Sequence, residues 1–154
     1  MLFRSIGAGG AARAIGFGLK SEGAKLAIAN RTPEKGRGLA KELEADFFPL
    51  NEFSQFSPEI LVNTSPVGMY PETDATPVHK NHLKNGMIVM DIVYNPLITR
   101  LLKEAAEIGC KTVDGAGMFV YQGAFQFELW TGKPAPLGEM RKAVVDALTK
   151  EKTK

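Results

Sequence analysis

The chain opens on a short apolar run, Leu2 to Ile6, that breaks into Gly7-Ala8-Gly9-Gly10-Ala11-Ala12 and continues as a helix-period stretch from Ala11 to Lys20. No other feature narrows the possible folds as much. A G-x-G-x-x-[GA] loop between a strand and a helix is the phosphate turn of a dinucleotide-binding unit, and the flanking elements give the motif its meaning. Each small residue has its own task. Gly7 permits the tight turn, Gly9 lets backbone N–H groups approach a pyrophosphate, and Ala12 lets the helix lie close to the sheet. The helix start then offers unpaired N–H groups and the positive end of its dipole to an anion. The bland alternative is a glycine-rich turn without a ligand.

Downstream, apolar runs alternate with helix-period stretches. Strands are expected at Lys25 to Ala29, Phe47 to Leu50, Glu59 to Asn63, Met87 to Val93 and Lys111 to Val113. Helices are expected over Pro33 to Leu43, Leu97 to Ile108, Met118 to Trp130 and Leu137 to Leu148. Thr32 stands where an N-cap belongs, Pro33 near N1, and Gly109 ends the third helix. Ser65 to Gly86 reads as loop with a helical turn near Lys80. The alternation predicts an α/β fold, a doubly wound parallel sheet covered on both faces, with a C-terminal helical segment. The 154 residues, 44% of them hydrophobic, make one such Rossmann domain over 1–154. One strand is out of character. A central parallel strand should be almost wholly apolar, yet the first reads Leu2-Phe3-Arg4-Ser5-Ile6, so Met1 to Ser5 read as a replaced or secondary start. The tail from Lys150 to Lys154 reads as a solvated fray.

The second strand decides which dinucleotide suits the loop. An NAD site has Asp or Glu there for the ribose hydroxyls. This chain has Asn30-Arg31-Thr32, with Lys35 one turn into the next helix. A guanidinium, a hydroxyl and an ammonium suit a dianionic 2′-phosphate, hence NADP. The alternative is an exposed Arg–Lys pair at a helix start.

Five blocks then occur in one order: GAGGAARA from Gly7 to Ala14, NRT from Asn30 to Thr32, NTSPVGM from Asn63 to Met69, D-x-x-Y-N-P-x-x-T from Asp91 to Thr99, and Gly115 to Gly132 with Gln122 and FELWTG inside it. In these blocks the chain resembles the C-terminal NADP-binding domain of shikimate dehydrogenase over nearly its whole length. The resemblance implies that Gly7, Ala8, Gly9, Gly10, Ala11 and Ala12 hold the diphosphate. It implies that Asn30, Arg31, Thr32 and Lys35 hold the adenosine ribose and its phosphate. Asn63, Thr64 and Ser65 would line the path to the nicotinamide, which Val93, Gly115 and Met118 would flank. Tyr94 and Gln122 would reach the substrate. The family reaction is reversible hydride transfer between NADPH and 3-dehydroshikimate. Its catalytic Lys and Asp belong to an N-terminal substrate domain that this sequence does not match. No catalytic residue is therefore expected here, substrate is expected to bind only alongside such a domain, and the chain alone is expected to be nearly inactive. Alternatives are a non-catalytic NADP-binding or interaction module, another NADP-dependent Rossmann enzyme, and a dehydrogenase acting on quinate.

Other features mostly exclude. Nineteen basic residues against seventeen acidic ones give +2, too balanced for a nucleic-acid or membrane-surface protein. No run is long enough for a membrane span and no signal peptide opens the chain, so a cytoplasmic location is expected. Cys110 alone excludes an internal disulfide and reads as a small buried hydrophobe. His79 and His82 read as surface residues short of a third metal ligand. Asp91, at a strand end, is expected to bond loop N–H groups; Asp74 and Lys80 are expected to be solvated. The Met118 to Trp130 helix carries apolar residues on nearly all sides, with Gln122 and Gln126 on one face. A lone sheet covers only one side of it, so the exposed apolar surface is expected to drive a two-fold homodimer.

Overall fold

Six strands run parallel in one sheet: Leu2–Ile6 (β1), Lys25–Asn30 (β2), Asp46–Pro49 (β3), Ile60–Asn63 (β4), Ile88–Asp91 (β5) and Lys111–Val113 (β6), in the order β3-β2-β1-β4-β5-β6. The structure, a computed structural model, describes residues 2–55 and 58–150. Met1 of the suspected secondary start, and the tail beyond Lys150, lie outside the described residues.

Five α-helices accompany the sheet among these residues: Gly10–Ser21 (α1), Pro33–Leu43 (α2), Arg100–Ile108 (α3), Gly115–Thr131 (α4) and Leu137–Lys150 (α5). Short 3-10 turns at Leu50–Gln55 and Lys80–His82 replace helices in the two crossovers around β4, the second where a turn is expected. Both sheet faces are covered. On one, Ala12 of α1 and Leu39, Ala40 and Leu43 of α2 close over Ile28. On the other, Leu101, Leu102 and Ala105 of α3 close over Ile6, Leu61 and Val89. Edge strand β6 is exposed throughout.

Helix α2 spans the expected residues. Helix α3 starts three residues later than its apolar pattern suggests, because Thr99 takes the N-cap and accepts from Leu102 N at 3.4 Å. Helix α4 starts three residues earlier, because the Asp114 carboxylate accepts from Ala116 N and Gly117 N at 3.0 and 3.4 Å. Strand β5 stops at Asp91 rather than Val93, since the Asp91 carboxylate accepts from Val93 N at 3.0 Å and turns the chain.

Polar β1 is a true central strand. Arg4 and Ser5 are both buried. Ser5 Oγ lies 3.1 Å from Thr64 Oγ1, which itself donates to Ile6 O at 2.7 Å, so Ser5 is the donor. The Arg4 guanidinium sits 5.0 Å from the centre of the Phe48 ring.

Candidate functional site

In doubly wound sheets, ligands settle at the carboxyl ends of the strands where the chain's winding reverses. Here that point lies between β1 and β4. A cleft of about 400 Å³ opens there, lined by Gly7 to Gly9 from the β1 end, Asn30 to Thr32 and Lys35 from the β2 end, and Thr64 to Val67 from the β4 end.

The glycine loop has the form its composition predicts. Gly7 lies at φ +116°, and a Cβ there would stand 2.7 Å from Thr64 Oγ1 and 3.3 Å from Ser65 N. Both the backbone and the neighbour demand glycine. Gly9 and Gly10 are exposed with nothing within 4 Å of a Cβ, leaving backbone open to a ligand. Gly9 caps α1 without a side chain, and no acidic residue sits in the first turn. The positive end of α1 is therefore uncompensated. Ala12 is fully buried, and a Cβ on Gly16 would stand 2.5 Å from Leu43 Cδ1, so small residues set the close seating of α1.

Across the cleft, Arg31, Thr32 and Lys35 are exposed together. Thr32 is the N-cap of α2, as expected, but its hydroxyl makes no capping bond. Among the described residues no ion pair or side-chain hydrogen bond engages Arg31 or Lys35. Three donors thus converge without an internal acceptor. Asn30 braces them, its Nδ2 donating to Thr32 O at 2.8 Å.

Asn63 plays a different part from the lining role its motif implies. It is fully buried beneath the cleft and its amide is spent on the chain. Oδ1 accepts from Ser65 N at 3.0 Å and Ser65 Oγ at 2.7 Å, while Nδ2 donates to Asp91 Oδ1 at 2.9 Å and Val67 O at 3.2 Å. Thr64 and Ser65 do line the cleft. Asp91 Oδ2 accepts from Thr99 Oγ1 at 2.7 Å. Burial pushes the Asp91 carboxyl above the usual range, against the hydrogen bonds from Thr99, Val93 and Asn63.

The remaining expected residues stand apart from this cleft. Val93 is buried, so only its backbone is offered. Gly115 starts α4 against the end of β5, and Met118 is half-buried one turn on. Tyr94 stacks on Phe119, ring centres 4.4 Å apart and planes 23° apart. Residue spacing gave no hint of that pair. Gln122 and Gln126 share a face, as expected, but it borders a groove between α4 and α5 rather than the cofactor cleft. The exposed His79 accepts from Asn81 N through Nδ1. Cys110 is half-buried against the core and burial raises its thiol. Among the described residues no cluster of three His, Cys, Asp or Glu could hold a metal, and no helix is long and apolar enough to cross a membrane.

The family model of the shikimate 5′-dehydrogenase C-terminal domain matches residues 115–145, the α4–α5 hairpin. A shikimate dehydrogenase (NADP(+)) of Methanosarcina mazei is 48% identical over 152 residues, covering 92% of this chain and 54% of that protein. A crystal structure of a shikimate dehydrogenase in complex with NADP+ superposes with a TM-score of 0.89 at 40% identity, over 96% of this chain and 54% of the other. That of the Thermus thermophilus enzyme with NADP(H) and shikimate gives 0.87 at 36%, over 95% and 55%. The chain thus spans about half the length of the relatives it matches.

Proposed function

We propose, from the premise that this chain belongs to the shikimate dehydrogenase family, that it is the NADP-binding portion of an enzyme reducing 3-dehydroshikimate to shikimate. The observation that carries the reading is the convergence of the open glycine loop with three exposed donors on the next strand end. The loop and the α1 N-terminus fit a diphosphate, since Gly9 and Gly10 are exposed with open space beside their backbone and no acidic residue sits in the first turn of α1. Arg31, Thr32 and Lys35 fit a 2′-phosphate, since none has an acceptor among the described residues. A ribose bearing only hydroxyls would leave that charge unanswered.

Bound NADPH would supply the hydride. The chain's own contribution is to hold and orient the cofactor. Thr64 and Ser65 would border its path, and the Gly115–Met118 start of α4 would face the nicotinamide. Gly115 fits that place because a Cβ there would stand 2.4 Å from Ile92 O, so the helix start is pressed against the β5 end. The stacked Tyr94 and Phe119 form a half-exposed aromatic wall beside it. Tyr94 and Gln122 are the groups we assign to substrate. Proton transfer is assigned to the family's Lys and Asp, which the resemblance places outside these 154 residues. A cytoplasmic location suits this reading.

The reading is tested by turnover. The chain alone should oxidise NADPH with 3-dehydroshikimate at background rate. Joined in frame behind the first half of the Methanosarcina mazei relative, it should be active, and Arg31→Ala should raise KM for NADPH with little change in kcat. An inactive, well-folded fusion would count against the assignment, as would robust turnover by the chain alone.

A further inference from the structure

A carboxyl group shut away from water is costly unless its oxygens find donors. Asp91, at the end of β5, is fully buried, and so are Asn63 and Thr99, the two side chains it meets. Its hydrogen bonds reach three separate segments. Oδ1 accepts from Asn63 Nδ2 at 2.9 Å and from Val93 N at 3.0 Å, and Oδ2 accepts from Thr99 Oγ1 at 2.7 Å. Asn63 in turn holds Ser65 and Val67 in the cleft wall. Val93 belongs to the turn that leads to Tyr94, and Thr99 caps α3. The same turn seats α4, since a Cβ on Gly115 would stand 2.4 Å from Ile92 O and 2.6 Å from Val93 O. The phosphate side of the cleft is held by other bonds. Gly7 N donates to Ala29 O, Thr64 Oγ1 to Ile6 O, and Asn30 Nδ2 to Thr32 O, and none of these involves Asp91.

We infer that Asp91 is a positioning residue for the nicotinamide half of the cofactor. The inference rests on the NADP reading above and names the buried group that holds the second half of that site together. Asp91 touches no ligand, being fully buried. It acts through Ser65, the turn at Val93 and the Gly115 start of α4. A carboxylate suits the task because it offers acceptors at two oxygens, so one group draws three donors to one point. An apolar residue in its place would leave the Asn63, Val93 and Thr99 donors without that partner, each at the cost of a buried unpaired group. The cleft wall at Ser65 and the turn at Val93 would then lose their common anchor. Arg31, Thr32, Lys35 and the glycine loop would keep theirs.

Two ligands separate the halves of the site. Adenosine 2′,5′-bisphosphate carries the adenosine and its phosphates without a nicotinamide, and NADP carries both. In calorimetric titrations the unmutated chain should bind NADP roughly tenfold more tightly than the bisphosphate, the worth of about one hydrogen bond. Asp91→Leu should close most of that gap and leave the bisphosphate affinity unchanged. Asp91→Asn, whose amide oxygen still accepts from Asn63 and Val93, should keep most of the gap. Where Asp91→Leu does not fold, Thr99→Val takes its place, since it leaves the carboxylate and removes one donor. It should narrow the gap, and Thr99→Ser should restore it. General loss of structure would weaken both ligands together, so the split between them reads positioning alone. A gap that survives the substitution, or equal affinities in the unmutated chain, would overturn the inference while bisphosphate binding upholds the 2′-phosphate site. Failure of both ligands to bind the unmutated chain would overturn both readings.

Discussion

Asn63 Nδ2 donates to Asp91 Oδ1 across 2.9 Å, and both side chains are fully buried. This bond ties the end of β4, which carries the cleft residues Thr64 and Ser65, to the end of β5, where the chain turns toward Tyr94. The carboxylate meets three donors in all, from Asn63, Val93 and Thr99. Asp91→Ala would strand them in a dry site, and the expected loss is about 2–4 kcal/mol of folding stability by urea denaturation. A loss below half a kilocalorie would contradict the role.

The same residue gives a pH signature. Burial raises the native Asp91 carboxyl above its ordinary value of 3.8. Between that value and the raised one, the unfolded chain has released a proton that the native chain keeps. The protonated group's contribution is fully present below 3.8 and is lost as pH rises through the native value. Asp91→Asn keeps an acceptor for Asn63 and Val93 and does not titrate. Its stability relative to wild type should therefore rise with pH across that window and level off above it. A flat difference, or one of opposite sign, would show that desolvation does not dominate.

Gly7 and Gly18 should answer differently to alanine. At Gly7 a Cβ meets Thr64 and the φ is one that L-residues rarely adopt, so Gly7→Ala should cost about 1–3 kcal/mol and most NADP binding. Gly18, exposed in α1, has nothing within 4 Å of a Cβ, and Gly18→Ala should stabilise by about 0.8–1 kcal/mol. Paired thermal melts check both, and equal effects would mean the loop is not under this constraint.

These residues also mark how far the sequence could be read. The strand-loop-helix at Gly7 and the Thr32-Pro33 start of α2 were legible because their signals are local: a backbone that only glycine adopts, and a cap beside a proline. The starts of α3 and α4 were not. Leu97 and Ile98 continue the apolar stripe of α3, although the chain turns until Thr99 caps it. Asp114 looks like a strand end, although its carboxylate opens α4 onto Gly115. Asn63 shows the same limit within the site. Its motif marks it as important, but only the fold reveals that its amide is consumed beneath the cleft. The Tyr94–Phe119 stack joins residues far apart along the chain, and no periodicity announces such a pair.

The central claim is that the cleft selects a 2′-phosphate. Titrating the purified chain with NADP and with NAD tests it most directly. NADP should bind at least tenfold more tightly, each charge-assisted bond contributing about 1.5–3 kcal/mol. Arg31→Ala should erase most of that gap while leaving NAD affinity nearly unchanged. Equal affinities in the unmutated chain, or a gap that survives the loss of Arg31, would contradict it.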